Sequence, residues 1–372
     1  MNPHLQFCHN PACPATGKTG QGNIVVHSRK EARFRCKLCG VTFAATKGTA
    51  FFRLQTDPQT VALVLTLISL GCPPQAIVGA FGFDERTVAH WQLVAGQHCE
   101  RFHAHWTTEH PVDVQHAQAD ELWVKVVGRR LWMGMALAVP YRLWLGGVIG
   151  AQRDRSFLRA VVRLIRTVAR HPALLICVDG LQGYVSAVRF VFRQPVRTGE
   201  PGRPRLEAEA GWSLGQVIKQ YAQRRVVGVT QRVVAGKAIA IRQILEETGG
   251  GTQINTAFIE RLNATFRSAL VRLVRRGRAL ARTEGMLRAG MYLVGCTYNF
   301  CCYHESLRLP APEGTESKWI EQTPAMAAGL TGERWSMEGL LNYQVPPPPT
   351  RAVTRRPRRP RATEARELPL AA

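Results

Sequence analysis

The chain has 372 residues, with 49 Lys and Arg against 26 Asp and Glu and a formal net charge of +23. That length allows two or three domains, each able to bury a core, and that charge predicts a polyanionic partner, nucleic acid first. No signal-peptide pattern opens the chain, and no run of about eighteen apolar residues is present, so a membrane protein is excluded and a soluble, cytoplasmic one with reduced thiols is expected.

Residues 1–54 carry two cysteine pairs. Cys36-Lys37-Leu38-Cys39-Gly40 is a tight C-x-x-C-G knuckle, and Cys8 to Cys13 is a looser partner. Asn23–His27 and Arg33–Cys36 alternate as two short strands between them. Two knuckles, each supplying two thiolates to one tetrahedral ion, is the plan of a zinc ribbon. Cys8, Cys13, Cys36 and Cys39 are the expected ligands of a structural zinc. A segment this poor in large apolar residues needs the metal to fold.

Residues 55–111 read as three helices. Asp57-Pro58 is an N-cap followed by a first-turn proline, and Gly71 closes the apolar helix that follows. Pro74 to Phe81 forms a second helix ended by Gly82, and Asp84 caps a third. Short helix, glycine turn, longer helix is a helix-turn-helix pattern. Arg86, Thr87 and His90 fall early on its second helix, where DNA base edges are met. A plain helical bundle joining two domains is the other reading.

Residues 112–345 hold the largest core. Strands are expected at Ala119–Val127, Leu131–Val139 and Leu143–Ile149, then a helix from Asp154 to about Ala169 and a buried strand ending in Val178-Asp179-Gly180. Pro, Gly, Arg and Glu dominate 193–211, which reads as an inserted loop. Long helices are predicted from Asn255 to about Arg275 and from about Leu280 to His304. Strands, a crossover helix, another strand and later helices make an α/β layer within a multidomain α+β chain. Residues 346–372 form a Pro/Arg-rich tail with no pattern able to bury a core, and are expected to be disordered.

Three acids stand where two-metal phosphoryl transfer would need hard oxygen ligands from different elements. Asp120 lies in the first strand, Asp179 ends the strand after the first helix, and Glu260 lies on a long helix. Gly180 would let substrate backbone come close to Asp179. Glu260 and Arg267 are two turns apart, on one helix face. From Arg261 to Thr283 the chain has seven Arg and no acid, so Arg272, Arg275 and Arg276 are expected on a DNA backbone. Glu207, Glu209, Glu246 and Glu247 compete as third ligand, because the interval from Asp179 to Glu260 is long.

Gln118-Ala-Asp120-Glu-Leu-Trp123, then Val178-Asp179-Gly180 with Tyr184, then Asn255-Thr-Ala-Phe-Ile-Glu260-Arg-Leu-Asn263 with Arg267 resemble the DDE-class insertion-sequence transposases. The resemblance is closest to the insertion-sequence-one family, in members with an N-terminal zinc ribbon and helix-turn-helix, and it runs over roughly residues 6 to 342. It implies an RNase H-like core with two magnesium or manganese ions, DNA cleavage at element ends and attack of the freed 3′ hydroxyl on target DNA. It makes Asp120, Asp179 and Glu260 the magnesium ligands and Arg267 the basic residue that follows the glutamate. Double-stranded DNA is the implied partner, with the protein a homo-oligomer on it at a bacterial nucleoid. Lys125 and Arg129-Arg130 depart from the more neutral residues expected after the first aspartate. Two other functions fit the same features: a DNA-binding regulator or inactive remnant, and an RNase H-like nuclease without strand transfer.

Overall fold

In the computed structural model the described residues are 1–170, 173–197, 199, 203–223, 225–270, 283–315 and 317–347. Two compact units divide the chain, one containing Met1–Ala45 and the other Thr46–Val345.

The first unit is a three-stranded antiparallel sheet of β1 (Ile24–Ser28), β2 (Arg33–Cys36) and β3 (Thr42–Ala44). The third strand was not expected. Along β2, Phe34 and Cys36 face inward while Arg35 faces water, the alternation that the pleat imposes. Phe34 meets Phe43 with ring centroids 6.0 Å apart, and Ile24, Cys8 and Cys13 complete a small core. The unit ends at Ala45 rather than near residue 54. Ala50 and Phe51 bury themselves among the helices of the second unit.

The second unit opens with α1 (Pro58–Ser69), α2 (Pro74–Phe81) and α3 (Glu85–Glu109). The Asp57 carboxylate accepts from the Thr60 N–H at 3.0 Å, and that of Asp84 accepts from Arg86 and Thr87 at 2.8 and 3.2 Å. Each such cap is worth about 1 kcal/mol. Gly82 ends α2 in the left-handed conformation at φ 71°.

Then come β4 (His116–Val126), β5 (Arg129–Ala138), β6 (Leu143–Gly150), α4 (Arg155–Val168), β7 (Leu174–Asp179) and α5 (Gln182–Val191). The paired strands β8 (Arg193–Val196) and β9 (Arg205–Ala208) follow, then β10 (Trp212–Ala222), β11 (Arg225–Ala235), α6 (Ala238–Glu247), α7 (Ala257–Ala269) and α8 (Glu284–Phe300). Short β12 (Leu309–Pro310) and β13 (Trp319–Ile320), α9 (Pro324–Ala327) and α10 (Met337–Asn342) end the unit.

Six strands form one mixed sheet in the order β11-β10-β7-β4-β5-β6. β4, β5 and β6 are an antiparallel meander, β7 runs parallel to β4, β10 runs parallel to β7, and β11 returns antiparallel. Helices α4 and α5 cover one face through Phe157, Val161, Tyr184 and Val188 over Ala117, Ala119 and Val178. Helices α7 and α8 cover the other through Ile259, Phe266, Leu287 and Met291 over Leu122, Val124 and Met133.

The stretch expected as two domains, 55–111 and 112–345, shares one buried cluster. Trp91, Cys99 and Phe102 of α3 pack with Leu293 and Cys296 of α8 and Leu340 and Leu341 of α10. A Cβ at Gly96 would lie 2.2 Å from the Ala289 carbonyl oxygen, so only glycine lets α3 approach α8 this closely. The 193–211 stretch is not a plain loop, because its ends pair as β8 and β9. The expected helix to Arg275 is described as far as Ala269; Arg272, Arg275 and Arg276 lie outside the described residues, as does the tail from residue 348. Among the described residues no helix is long and apolar enough to cross a membrane.

Candidate active site

Side chains of β4 alternate between the two helical layers. Gln118 and Asp120 point to the α7 side, where Gln118 Oε1 accepts the Ile259 N–H at 3.0 Å and Asp120 Oδ2 accepts from Asn263 Nδ2 at 2.7 Å. Glu121 points to the α5 side, where it accepts from the Tyr184 hydroxyl at 2.6 Å and from Arg153 Nη1 at 2.6 Å.

β7 runs parallel to β4 with Gln118 opposite Cys177. The pairing ends there, and Asp120 and Asp179 each lie two residues further along their strands. Carboxylate oxygens of Asp120, Glu121 and Asp179 all lie within 4.8 Å of one another. The turn after Asp179 is pinned: its carboxylate accepts the Leu181 N–H at 3.0 Å, and Gln216 Nε2 donates to the carbonyls of Asp179 and Leu181 at 3.1 and 3.2 Å. Gly180 lies against a neighbouring strand. A Cβ there would meet Ile218 of β10 at 3.3–3.4 Å.

Glu260 sits in the first turn of α7, one turn before Asn263. It is not in the tight three-acid group. Its carboxylate instead accepts from Lys219 Nζ on β10 at 2.6 Å and from Thr256 Oγ1 at 2.7 Å. Arg267 lies half-buried in the last turn of the same helix.

Crowding acids in a half-buried site shifts their protonation. Burial first, then the charges of Glu121, Asp179 and Glu260, push Asp120 up to about 7. Burial and the Asp179 charge also raise Glu121, against the opposing pull of Tyr184 and Arg153. Burial alone would raise Glu260, but the Lys219 ammonium and the Thr256 hydroxyl outweigh it and hold Glu260 below its ordinary value.

The donor set at Asp120, Glu121 and Asp179 is all hard oxygen, as magnesium or manganese requires. Gathering three carboxylates is unfavourable unless a cation joins them, so these residues fit a divalent metal. The four competing glutamates do not join the group. Glu209 pairs with Arg166, Glu207 lies 3.9 Å from Arg205, and Glu246 and Glu247 are exposed on α6. Glu121 was missed by sequence reasoning, although an acid directly after Asp120 was the available signal.

In the first unit, Cys8, Cys13, Cys36 and Cys39 bring their sulfurs within 4.8 Å of one another. Cys8 and Cys39 are 3.5 Å apart, and Cys13 and Cys36 are 3.9 Å apart. A tetrahedron with zinc–sulfur bonds of about 2.3 Å has edges of about 3.8 Å, so the cluster fits one zinc. Burial would raise the Cys36 thiol, but the backbone N–H groups of Cys39 and Leu38 outweigh it and lower it to about 7, and the Val41 N–H lowers Cys39. Burial pushes Cys8 up to about 12, so a zinc ion would have to draw the last thiolates out itself.

At the start of α3, Arg86 and His90 are exposed and Thr87 is half-buried. Arg86 keeps 96% of its side chain in solvent and lies 3.9 Å from the Asp84 carboxylate.

No known family matches the chain, and no curated protein matches it. A solved piggyBac transposase synaptic complex with hairpin DNA aligns with TM-score 0.31 and 9% identity, over 69% of this chain and 66% of that one. The aligned part is thus just under two thirds of that chain, and a likeness of this size carries no inference about chemistry.

Proposed function

We propose that the protein is a DDE-class transposase that cuts DNA at the ends of a bacterial insertion sequence and joins the freed ends to target DNA. The observation that carries this reading is the meeting of the Asp120 and Asp179 carboxylates, within 4.8 Å of each other on two parallel strands, with Asn263 tying the Glu260 helix to Asp120 at 2.7 Å. An antiparallel meander followed by two parallel strands with helices on both faces supports the RNase H-like core that the sequence resemblance implies.

Asp120 and Asp179 would hold the metal, with Glu121 or Glu260 as third acid. Magnesium or manganese held there would supply Lewis-acid stabilisation of the phosphoryl oxygens and activation of the attacking oxygen. The protein's own part is positional. Gln118 and Asn263 fix α7 against β4, Gln216 fixes the turn after Asp179, and Tyr184 and Arg153 hold Glu121 in place. Lys219 neutralises Glu260 and would yield it to a cation of higher charge. The four cysteines would hold a structural zinc, and Arg86, Thr87 and His90 would read double-stranded DNA, with the protein a homo-oligomer on that DNA.

The test is cleavage and joining of a supercoiled plasmid that carries the coding region with its flanking DNA. Magnesium-dependent products lost in Asp120→Asn and Asp179→Asn are expected. Cut but never joined products would move the reading to a nuclease, and DNA binding without any cutting would move it to a regulator.

A further inference from the structure

A cavity of about 870 Å³ in the second unit does not contain the acids. It lies on the other side of α7. Phe258, Arg261 and Thr265 line it, whereas Glu260 and Asn263 are turned away by half a helical circumference. The remaining wall comes from the end of α1 (Ser69, Leu70), β5 and the β5–β6 turn, α8, and residues of the following segment, among them Tyr303, Arg308 and Trp319.

Its chemistry is cationic and aromatic. Arg142 packs its guanidinium 4.0 Å from the Phe258 ring centre, and Arg308 lies 4.4 Å from that of Trp319. The cavity's acid, Glu305, is 86% exposed and reaches only Arg308, at 4.0 Å. The ion pairs of the described residues give Arg142 and Arg261 no carboxylate.

Arg142 is also held in an unfavourable backbone conformation. Its φ is +52°, a region that L side chains rarely adopt. The Tyr298 hydroxyl donates to its carbonyl at 2.8 Å, and Asn299 grips Trp144 through both backbone groups at 3.0 and 2.9 Å. Strain kept in place by such contacts gathers at ligand sites. Burial disfavours the Arg142 cation, as does the Arg261 charge, against the opposing pull of Tyr298, and a bound anion would offset that cost.

We infer that this cavity binds a nucleotide unit, its phosphate on Arg142 and Arg261 and its base against the exposed Trp319 and Tyr303 rings. Arginines without carboxylates supply phosphate recognition, and aromatic faces stack bases with little regard to sequence. The volume suits one small ligand. A free nucleotide and one nucleotide of a single strand offer the same chemistry. The inference does not depend on the acidic site being active.

Binding of the full-length protein to a labelled oligothymidylate strand, measured by fluorescence anisotropy across a salt series, tests it. Arg261→Gln, at an exposed position, should weaken binding and lower the salt slope by about 0.7. Trp319→Leu should weaken it about fivefold or more. Arg142→Gly removes the guanidinium while suiting the positive φ, so it should keep the fold by circular dichroism and still lose affinity. Arg163→Gln, exposed on α4, controls for bulk charge and should bind as the parent does. Competition by dAMP at millimolar concentration would identify a free-nucleotide site, and competition by the strand alone a nucleic-acid track. Equal losses in Arg163→Gln and Arg261→Gln, unchanged binding in the three cavity variants, or inorganic phosphate competing as well as dAMP would each overturn the inference.

Discussion

Asn263 donates its side-chain amide to Asp120 at 2.7 Å, and so ties the helix that carries Glu260 to the strand that carries the first aspartate. Asn263 is 2% exposed, and its own Oδ1 has no partner among the described residues. Replacing it with Ala should remove the tie and leave α7 free to drift from β4. The expected result is a metal affinity lowered by tenfold or more, read by isothermal titration with manganese, with little change in thermal stability. Unchanged manganese binding would show that Asn263 is only a packing residue.

Asp120 makes a pH prediction for the metal-free protein. Its folded value, about 7, lies above the ordinary 3.8, so the folded state holds its proton more tightly than the unfolded one. That contribution is fully present below the ordinary value and is lost as pH rises through 7. Asp120→Asn keeps an acceptor for Asn263 and removes the charge. In EDTA it should raise the melting temperature at pH 8 by several degrees and change it little at pH 4. An equal shift at both pH values would contradict the assigned cause.

The fold was partly legible before any coordinates. The meander β4–β6, α4, β7 and the caps Asp57 and Asp84 stood out because apolar periodicity and capping chemistry agree there. β10, β11 and α6 did not. β11 is almost wholly exposed, so Arg225-Val-Val-Gly-Val-Thr-Gln-Arg has no buried alternation to betray a strand. β10 follows a Pro/Gly/Arg-rich stretch that masks its start.

Of the two aspartates brought together here, Asp179 was legible as an acid ending an apolar run, and Asp120 as an acid inside a strand that alternates. Glu121 was not, since adjacent strand residues point to opposite faces and only the end of β7 brings Asp179 close to both. Lys219, the partner of Glu260, comes from the strand that was overlooked.

Tyr184 should matter to stability more than to chemistry. Its buried hydroxyl is a donor to Glu121, whose side chain is 1% exposed. Tyr184→Phe leaves that carboxylate with Arg153 alone and should cost about 1.5–3 kcal/mol in urea unfolding. A loss below about 0.5 kcal/mol would mean that Glu121 is protonated in the folded protein and needs no second donor.

The cysteine cluster predicts one zinc per chain. Elemental analysis of the purified full-length protein should find it at unit stoichiometry, and Cys13→Ser or Cys36→Ser should lose it. Zinc retained in both variants would assign the ion elsewhere.

Exposed Arg86 and His90 predict sequence preference rather than bulk affinity. Arg86→Ala and His90→Ala should flatten the ratio of binding to flanking DNA over unrelated duplex, while nonspecific affinity changes little. A uniform loss across all duplexes would remove α3 from the role of reading helix.

Strand cleavage and joining in magnesium by Asp120→Asn, Asp179→Asn and Glu260→Gln, beside Glu207→Gln and Glu246→Gln, tests the catalytic reading most directly. Each of the first three keeps side-chain size and removes a charge from the acids around β4, β7 and α7. The expected result is that cutting and joining disappear together in these three, with DNA binding intact, while Glu207→Gln and Glu246→Gln match the parent. Wild-type cutting by Asp120→Asn or Asp179→Asn would contradict it, as would a parent protein that binds its flanking DNA and never cuts it, and wild-type cutting by Glu260→Gln alone would pass the third-acid role to Glu121.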